Sequence, residues 1–436
     1  MVDFLLSEET MIVPTRWLQL VLVITLSVGT GCVSSPTRFD NRAIAVDDLS
    51  RVTTVAPFPR GLAMVDGELY VLCRGRVRGA GGVSAAVDDQ AGTIYAVDPD
   101  VSEPITRNTL SDAVRSNGRV VALPTDPPFA LWDRTATPPE SDRLTDRPYC
   151  TLRYHAPTSS FYVCAFSGID QPKKPGDVSF SKNLTDALIR YDLRTRRWYD
   201  VERHDIAAGG SYPHHNTPTS DPPHGWLNGP DNCLPVGRWL YAVAKDNDCL
   251  VRYDLAPLEK DPLAGPPQSE RILGADIVIK GKGLQQHYGH SALAQHGDWL
   301  YIACRTSSVI FRIPLDGDGN PIQPIVGELV AKFQPYDPKT SKSANITDMD
   351  FDDRGNLYVV SAQPSRIYRF KPNSGRIFNG ETSEAWADLA KLTNNPKMKS
   401  ENLLVDGNRL FVTSGDGYGY QKGAHGTVYR LDIAGQ

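Results

Sequence analysis

Residue pairs that include polar side chains occur at six places in the sequence, each at the start of a short apolar segment. They offer carboxylates, amides, hydroxyls, an imidazole and a guanidinium, all of which bind ligands through charge or hydrogen bonds. Carboxylate and amide oxygens are also the ligands that Ca²⁺, Mg²⁺ and Mn²⁺ prefer in proteins. The six pairs are Arg60-Gly61, Tyr149-Cys150, Asp231-Asn232, His290-Ser291, Thr347-Asp348 and Glu401-Asn402.

These pairs can act together only if the apolar segments that follow them come together in the fold. Polar groups that converge on one axis from separate elements form a natural pocket. The same groups could also line a channel that is only filled with water. The pairs are therefore candidates for one binding site, and the arrangement of the apolar segments has to bring them together.

Residues 346–372 contain one complete copy of the segment that recurs along the chain. An apolar run leads into a polar turn with Gly355, and two further runs follow, LYVVS and RIYRF. Runs of about five residues with period-two alternation, separated by Gly or Asp turns, are typical of strands rather than helices. The copy is therefore predicted to form one sheet of an antiparallel meander.

Five further copies of this unit occur along the chain, so the sequence is a repeat architecture. The last copy ends at the C-terminus without a fourth strand, and an apolar segment at residues 51–56 is predicted to supply it. We therefore predict an all-β fold, a six-bladed β-propeller over residues 51–436. An N-terminal strand is predicted to close the ring as the outer strand of the last blade. The further copies contain Gly61, Ser160, Arg238, Asp298 and Asn408.

The repeated Gly-x-Leu-Tyr-Val and Ile-Tyr-Arg patterns resemble those of the six-bladed propellers of the NHL-repeat and senescence-marker-protein/gluconolactonase group. The resemblance covers nearly all of residues 51–433, and it is specific for the fold rather than for an activity. It implies a divalent ion that is held by Glu401, by Asp231 or Asn232, and by Asp348, and that polarises a lactone carbonyl. Glu401 or His290 would then be the catalytic group that activates water.

The sequence departs from this family at three of the important positions. Pro59-Arg60-Gly61 replaces the glutamate context that opens the first inner strand, and Asp231-Asn232-Cys233 replaces the asparagine before glycine. His290 stands where the family has a later aspartate. Because these changes fall at positions that carry the chemistry of the family, a binding protein without catalysis is favoured. The candidates for metal binding are Asp231, Asp348 and Glu401. A metal-dependent, lactonase-like hydrolase with its site on the propeller axis is the alternative.

Long loops connect the second and third strands of the first, second and sixth copies, at residues 74–91, 167–185 and 414–425. A closed ring places these three copies side by side, so the loops are predicted to form one wall of a mouth on the top face. The last loop carries tyrosines that could stack on a sugar. The candidates for ligand binding are Arg60, Tyr149, Asn232, Asn402 and Tyr418.

The first residues of the chain are predicted to direct export. Residues 17–28 form an apolar run of signal-peptide length after Arg16, and the run ends in Gly-Thr-Gly-Cys32. This ending resembles a bacterial lipoprotein signal, which makes Cys32 the candidate for lipidation. We predict a lipoprotein-type signal sequence over residues 1–32 and a tether over residues 33–50. Ordinary cleavage and a retained anchor helix are the alternatives.

Export changes the interpretation of the other six cysteines, because disulfides form in oxidising compartments. Cys150 and Cys164 fall on consecutive predicted strands at similar distances from the turn, so a cross-strand disulfide is sterically feasible. Cys73 and Cys304 occupy equivalent places in their repeats, which indicates packing positions. The sequence assigns no partner to the remaining two cysteines.

The composition restricts the partners of the protein. The chain has 51 acidic and 46 basic residues, so no polybasic surface for nucleic acid is expected. We expect the protein to be a monomer. Its expected location is the bacterial cell envelope, where it is either lipid-anchored or else periplasmic or extracellular. Its only expected contact with the membrane is the N-terminal lipid. Its partner is predicted to be a small molecule, a glycan or an envelope protein. Its only predicted cofactor is one divalent cation, Ca²⁺, Mg²⁺, Mn²⁺ or Zn²⁺.

Overall fold

Short strands account for most of the part of the chain that can be described. The chain divides into two compact units, Met1–Pro36 and Thr37–Gln436, and every described residue lies in the second. The predicted signal sequence with Cys32, and the tether up to residue 48, lie outside the described residues. The computed structural model describes residues 49–53, 59–73, 93–104, 118–122, 149–165, 186–204, 227, 229–245, 248–273, 279–280, 289–333, 344–362, 364–372, 381–382, 385–396, 398–415 and 426–433.

Short runs rich in apolar residues form the strands. No described helix is long and apolar enough to cross a membrane. The helices are α1 (Ala256–Lys260) and α2 (Leu389–Leu392). The strands are β1 (Leu49–Thr53), β2 (Pro59–Val65), β3 (Glu68–Cys73), β4 (Ile94–Val97), β5 (Glu103–Pro104), β6 (Arg119–Ala122), β7 (Tyr149–His155), β8 (Ser160–Ala165), β9 (Asp186–Asp192), β10 (Arg197–His204), β11 (Pro230–Val236), β12 (Trp239–Ala244), β13 (Cys249–Asp254), β14 (Ser269–Leu273), β15 (Ile279–Lys280), β16 (His290–His296), β17 (Trp299–Cys304), β18 (Val309–Pro314), β19 (Gly327–Phe333), β20 (Ile346–Phe351), β21 (Leu357–Ser361), β22 (Arg366–Phe370), β23 (Glu381–Thr382), β24 (Ala387–Asp388), β25 (Lys399–Asp406), β26 (Arg409–Gly415) and β27 (Thr427–Asp432).

Six sheets follow one another along the chain, and we call them blades 1 to 6. Their strand orders are β2-β3-β4-β6, β7-β8-β9-β10, β11-β12-β13-β14, β16-β17-β18-β19, β20-β21-β22-β24 and β25-β26-β27-β1-β5. The short strands β15 and β23 pair in parallel with β19 in blade 4. The innermost strands contact each other in a closed cycle, from β2 through β7, β11, β16, β20 and β25 back to β2. The predicted six-bladed β-propeller is therefore confirmed.

The N-terminal strand belongs to the same sheet as the C-terminal strands. β1 pairs antiparallel with β27, with Leu49 opposite Leu431 and Arg51 opposite Tyr429. The first and the last described strands, β1 and β27, are therefore neighbours in blade 6. Whether the pairing is what closes and holds the ring stays a prediction.

The blades pack face to face, which explains why the second strands are apolar on both sides. In β8, Phe161 and Val163 contact the core between blades 1 and 2, whereas Tyr162 and Cys164 contact the core between blades 2 and 3. A strand that is buried on both faces has no solvent side to make polar, so it reads as a continuous hydrophobic run. The innermost strands differ because their beginnings carry the polar residues described below.

Gly61 lies where the innermost strands of blades 1 and 2 approach most closely. A methyl group on Gly61 would lie 2.5 Å from Cβ and 2.6 Å from the backbone N of Leu152. We expect Gly61→Ala to lower the free energy of unfolding by about 1–3 kcal/mol, because the two strands must separate. Urea denaturation measures this loss.

Gly265 provides the matched control for this substitution. An added methyl group there meets no atom within 4 Å. Gly265→Ala is therefore expected to change the stability by less than about 0.5 kcal/mol. Equal losses in the two variants would contradict a close contact between β2 and β7.

Candidate functional site

Every innermost strand contains a β-bulge near its beginning, and the bulges contain residues of the predicted site. A bulge inserts an extra residue, redirects its side chain and is common beside functional sites. The sequence repeats did not reveal this feature, because a bulge changes the pairing register and not the apolar pattern. The register shifts enclose Arg60, Cys150, Asp231, Ser291, Thr347 and the pair Glu401 and Asn402.

The structure buries the predicted site residues that it describes. Each of them exposes at most 6% of its surface. The side chain of Tyr149 lies outside the described residues, as do Tyr418 and the predicted mouth loops apart from residues 414–415 at the end of β26. The buried set is Arg60, Asp231, Asn232, His290, Asp348, Glu401 and Asn402.

Arg60 is the centre of the first charged group on the axis. Its Nη2 lies 3.4 Å from Oε2 of Glu401 and 3.7 Å from Oδ1 of Asp231. Its Nε donates a hydrogen bond of 3.2 Å to the carbonyl oxygen of Cys150. Nη1 of Arg305 lies 3.8 Å from Oδ2 of Asp231, on the other side of that carboxylate. Arg60 therefore joins blade 1 to blades 2, 3 and 6.

Asp348 is the centre of the second charged group. Its Oδ1 accepts hydrogen bonds from Nη2 of Arg153 at 2.8 Å and from Nδ2 of Asn232 at 2.9 Å. Its Oδ2 accepts the backbone N–H of Leu403 at 3.0 Å. Arg153 belongs to blade 2 and Asp348 to blade 5, which are opposite each other in a ring of six. This ion pair therefore crosses the axis.

Asp350 follows Asp348 at the spacing of one strand repeat and makes a similar contact. Oδ2 of Asp350 accepts the N–H of Val405 at 2.8 Å, just as Asp348 accepts the N–H of Leu403. Innermost strands are sheet edges, and buried edge N–H groups need acceptors. The two carboxylates on β20 thus satisfy the edge of β25 in the neighbouring blade.

Three buried acceptor oxygens of this region have no hydrogen-bond donor in the described structure. They are Oδ2 of Asp231, Oδ1 of Asn232 and Oδ1 of Asn402. The amide orientations follow from the partners of the nitrogens. Nδ2 of Asn232 donates to Asp348, and Nδ2 of Asn402 donates to the carbonyl oxygens of Cys150 and Glu401. These oxygens can therefore accept further hydrogen bonds.

The arrangement does not fit the divalent ion that the family resemblance implies. Among the described residues, no three His, Cys, Asp or Glu side chains are placed to hold a metal ion together. Asp231 and Glu401 flank Arg60, and Asp348 pairs with Arg153. Guanidinium groups therefore stand beside the carboxylates in place of a cation. The expected ligand set Asp231, Asp348 and Glu401 is not assembled.

The two predicted catalytic residues lie in different surroundings. Glu401 contacts the guanidinium of Arg60, whereas the ring of His290 packs against Phe311 with centroids 5.7 Å apart. The catalytic roles of Glu401 and His290 stay predictions.

The alignment of the repeats missed three ionisable residues of the site, Arg153, Arg305 and Asp350. Arg153 and Asp350 interrupt the apolar innermost strands β7 and β20, and a charge inside such a strand is the available signal. Arg305 follows β17 directly and sits in the turn before the third strand. No repeat position marks it.

Burial raises the pKa of the Asp350 carboxyl to about 6, and the N–H groups of Val405 and Phe351 and the charge of Arg153 only partly offset this effect. A carboxyl group whose pKa is raised in the folded state makes its full contribution to stability at pH values below its unfolded-state pKa of about 4. This contribution is lost as the pH rises through the folded-state pKa of about 6. We expect the stability of the wild type relative to Asp350→Asn to fall by roughly 2 kcal/mol between pH 4 and pH 7. Urea denaturation at several pH values measures it.

Asp192 provides a control of opposite sign for this prediction. Burial alone would raise the pKa of Asp192, but bonds from Arg194 and Thr195 and the charge of Arg190 lower it overall. Its contribution is therefore present above its unfolded pKa and lost only in more acid solution. The stability of the wild type relative to Asp192→Asn should stay constant between about pH 4.5 and about pH 7, because both values lie above the usual pKa of an aspartate. A constant difference for Asp350→Asn would contradict the prediction.

A second concave surface lies at the opposite ends of the innermost strands. It is a groove of about 560 Å³ between the turns of blades 3 and 4, and Trp239, Gln295, Asp298 and Asp318 are among its lining residues. In the adjoining turn, Asp316 uses Oδ1 to accept the N–H groups of Asp318 and Asn320. The Asp-rich stretch is thus a hydrogen-bonded turn, and the groove is separate from the axial residues.

The fold and the axial residues define the class of protein, a six-bladed β-propeller with a buried ion pair across its axis. No protein-family model matches the chain, and no curated protein matches it. The solved structures to which the chain is similar include gluconolactonase XC5397 from Xanthomonas campestris, at 12% identity and a TM-score of 0.44 over 91% of this chain and 94% of that one.

Two other similar structures complete the comparison. Regucalcin from Agrobacterium tumefaciens, described as a calcium-binding protein, has 11% identity and a TM-score of 0.40 over 90% of this chain and 93% of that one. The soluble aldose sugar dehydrogenase of Escherichia coli has 11% identity and a TM-score of 0.44 over 88% of this chain and 99% of that one. The gluconolactonase and regucalcin belong to the group that the sequence resembles. These likenesses concern the fold alone, and no activity is transferred from them.

Proposed function

We propose that this propeller is an exported, lipid-anchored binding protein whose ligand is a small neutral molecule rich in hydroxyl groups, such as part of a glycan. The ligand binds at the end of the axis where the innermost strands begin. The observation that supports this proposal best is the position of Arg60 between Asp231 and Glu401, beside three acceptor oxygens without donors. A guanidinium in this position favours recognition over metal-assisted hydrolysis.

The acceptor oxygens determine the chemistry of the ligand. A buried acceptor without a donor costs about 1–3 kcal/mol, so a ligand that supplies donors gains that free energy. Hydroxyl groups supply donors without adding charge. The side chain of Arg305 is 29% exposed and that of Asp231 only 4%, so this pair marks the border between solvent and the buried axis.

The charge of the axial groups supports a neutral ligand. Three guanidiniums, those of Arg60, Arg153 and Arg305, stand among the four carboxylates Asp231, Asp348, Asp350 and Glu401. The raised pKa of Asp350 reduces the remaining negative charge near pH 6. A nearly neutral set exerts no strong net field on an anion or a cation.

The binding test compares equal substitutions at the two ends of the innermost strands. Titration calorimetry with a panel of neutral, acidic and amino sugars should identify a neutral sugar as the ligand of the wild type. We expect Asn232→Ala to weaken its binding about tenfold, or about 1.4 kcal/mol. Asn320→Ala, in the groove at the opposite end, is the control and should bind normally.

The same experiment tests the alternative function. Purified mature protein that contains a stoichiometric divalent metal, and that hydrolyses a panel of lactones until a chelator is added, would support the metal-dependent hydrolase and overturn the binding proposal. Binding only to charged sugars, or to an envelope protein, would overturn the neutral ligand.

The proposed location rests on the N-terminal sequence. Cell fractionation of the full chain should place the wild type with membranes, and Cys32→Ser should release most of it to the soluble fraction. Mass spectrometry of the mature N-terminus is the control for the lipid. An unmodified Cys32 in the membrane fraction would contradict lipidation.

A further inference from the structure

The core between blades 2 and 3 contains an unusual concentration of thiols. Four of the six cysteines that the structure describes pack in this one cluster, and all four are buried. Cysteine is otherwise found as a single packing residue in other blades, such as Cys73 and Cys304. The four members are Cys150, Cys164, Cys233 and Cys249.

Two of these thiols belong to neighbouring blades and pack in the same cluster. Alternation along β8 directs Cys164 toward blade 3, with Tyr162, while Val163 faces blade 1. Cys233 lies on the innermost strand of blade 3, opposite Ala242 in its own sheet, and packs against the same cluster. Strands β8 and β11 contact each other across the interface of blades 2 and 3. Cys164 and Cys233 are both buried in the core cluster that fills this interface.

We propose that Cys164 and Cys233 form a disulfide that joins blade 2 to blade 3 when the chain folds in an oxidising compartment. The two thiols lose two protons and two electrons to the disulfide of an exchange partner, such as oxidised glutathione or a disulfide oxidoreductase. That partner leaves as two thiols. The inference uses the proposed export of the chain and is independent of the proposed ligand.

The strand register disfavours the cross-strand pair that the sequence suggested. Thr151, not Cys150, stands opposite Cys164, and Cys150 lies in the bulge of β7. The carbonyl oxygen of Cys150 is also fixed by bonds from Arg60 and Asn402. Burial raises the pKa of the Cys164 thiol well above its usual value, so this thiol reacts slowly once the protein is folded. The bond therefore has to form during folding.

The bond would tie down the strand that carries the site. Cys233 directly follows Asp231 and Asn232 in β11. A disulfide at Cys233 would link this strand to β8, independently of the ion pairs of Arg60. Export would thus add a covalent support to the blade that supplies two of the acceptor oxygens.

The test uses the full chain, refolded with oxidised and reduced glutathione or with a reductant alone, and then alkylated and digested. We expect a peptide that links Cys164 to Cys233 only in the oxidised sample, with two fewer alkylated cysteines. The oxidised protein should also have a higher Tm than the reduced protein. Cys164→Ser and Cys233→Ser should each abolish the linked peptide and the Tm difference.

Cys73→Ser is the matched control, because Cys73 is buried in another blade and should leave the linked peptide intact. Alkylation of all cysteines after oxidative refolding to the native circular dichroism spectrum would overturn the proposal. A bond between Cys150 and Cys164 that persists in Cys233→Ser would overturn it as well. Neither result depends on whether the protein binds a sugar.

Discussion

Replacement of Arg60 by methionine is expected to lower the free energy of unfolding by about 3–5 kcal/mol, because breaking a buried ion pair leaves an uncompensated charge. Methionine preserves the length of the side chain but removes the guanidinium. The carboxylates of Asp231 and Glu401, whose side chains are 4% and 7% exposed, would then lose this cation. The carbonyl oxygen of Cys150 would also lose a donor. Urea denaturation at neutral pH measures the change.

Arg119 is the control for the substitution of Arg60. It pairs with Glu68 at the surface, where the two side chains are 60% and 45% exposed. Exposed pairs contribute about 0–1 kcal/mol, so Arg119→Met should lose no more than that. Similar losses for the two variants would show that Arg60 does not compensate the buried carboxylates.

Removal of the Asp348 carboxylate is the second large expected effect. Asp348→Ala should cost about 3–5 kcal/mol, because Arg153 keeps a nearly buried charge without its partner. The side chain of Arg153 is only 11% exposed and that of Asp348 is fully buried. The substitution also removes the acceptor for Asn232 and for the N–H of Leu403. The loss is measured by urea denaturation, as for Arg60.

Two further variants separate the ion pair from the general effect of a substitution. Asp100→Ala breaks a surface pair with Arg409, in which the Asp100 side chain is 75% exposed, and should cost less than about 1 kcal/mol. The double variant Arg153→Met, Asp348→Ala should be more stable than Asp348→Ala alone, because the unpaired charge is gone. Strictly additive losses would show that the two residues are not coupled across the axis.

These results bear on function because the same ion pairs hold the carboxylate oxygens that a metal ion would need. If Arg60 and Arg153 hold their carboxylates as firmly as expected, a metal ion has to displace two buried guanidiniums before it can use those oxygens. A neutral ligand needs only the acceptor oxygens of Asp231, Asn232 and Asn402. The stability measurements and the binding panel therefore test the two functions independently.

Much of the candidate site could be located from the repeats. Aligning the six copies placed Arg60, Asp231, His290, Asp348 and Glu401 at the beginnings of innermost strands, and the structure has them there or within the first three residues. The alignment could not assign their partners. The family resemblance implied three carboxylates as ligands of one cation, whereas the structure distributes them between two arginines.

The sequence by itself determined the architecture, because the alternation of side chains along a strand and the recurrence of one three-strand unit are local properties of the chain. Only the tertiary structure decided which charges meet. Arg60 bonds to a carbonyl 90 residues away, and Arg153 bonds to a carboxylate 195 residues away. Such pairs form only once the ring has closed, and they depend on bulges that redirect side chains near the axis. A bulge leaves no periodic signal in the sequence.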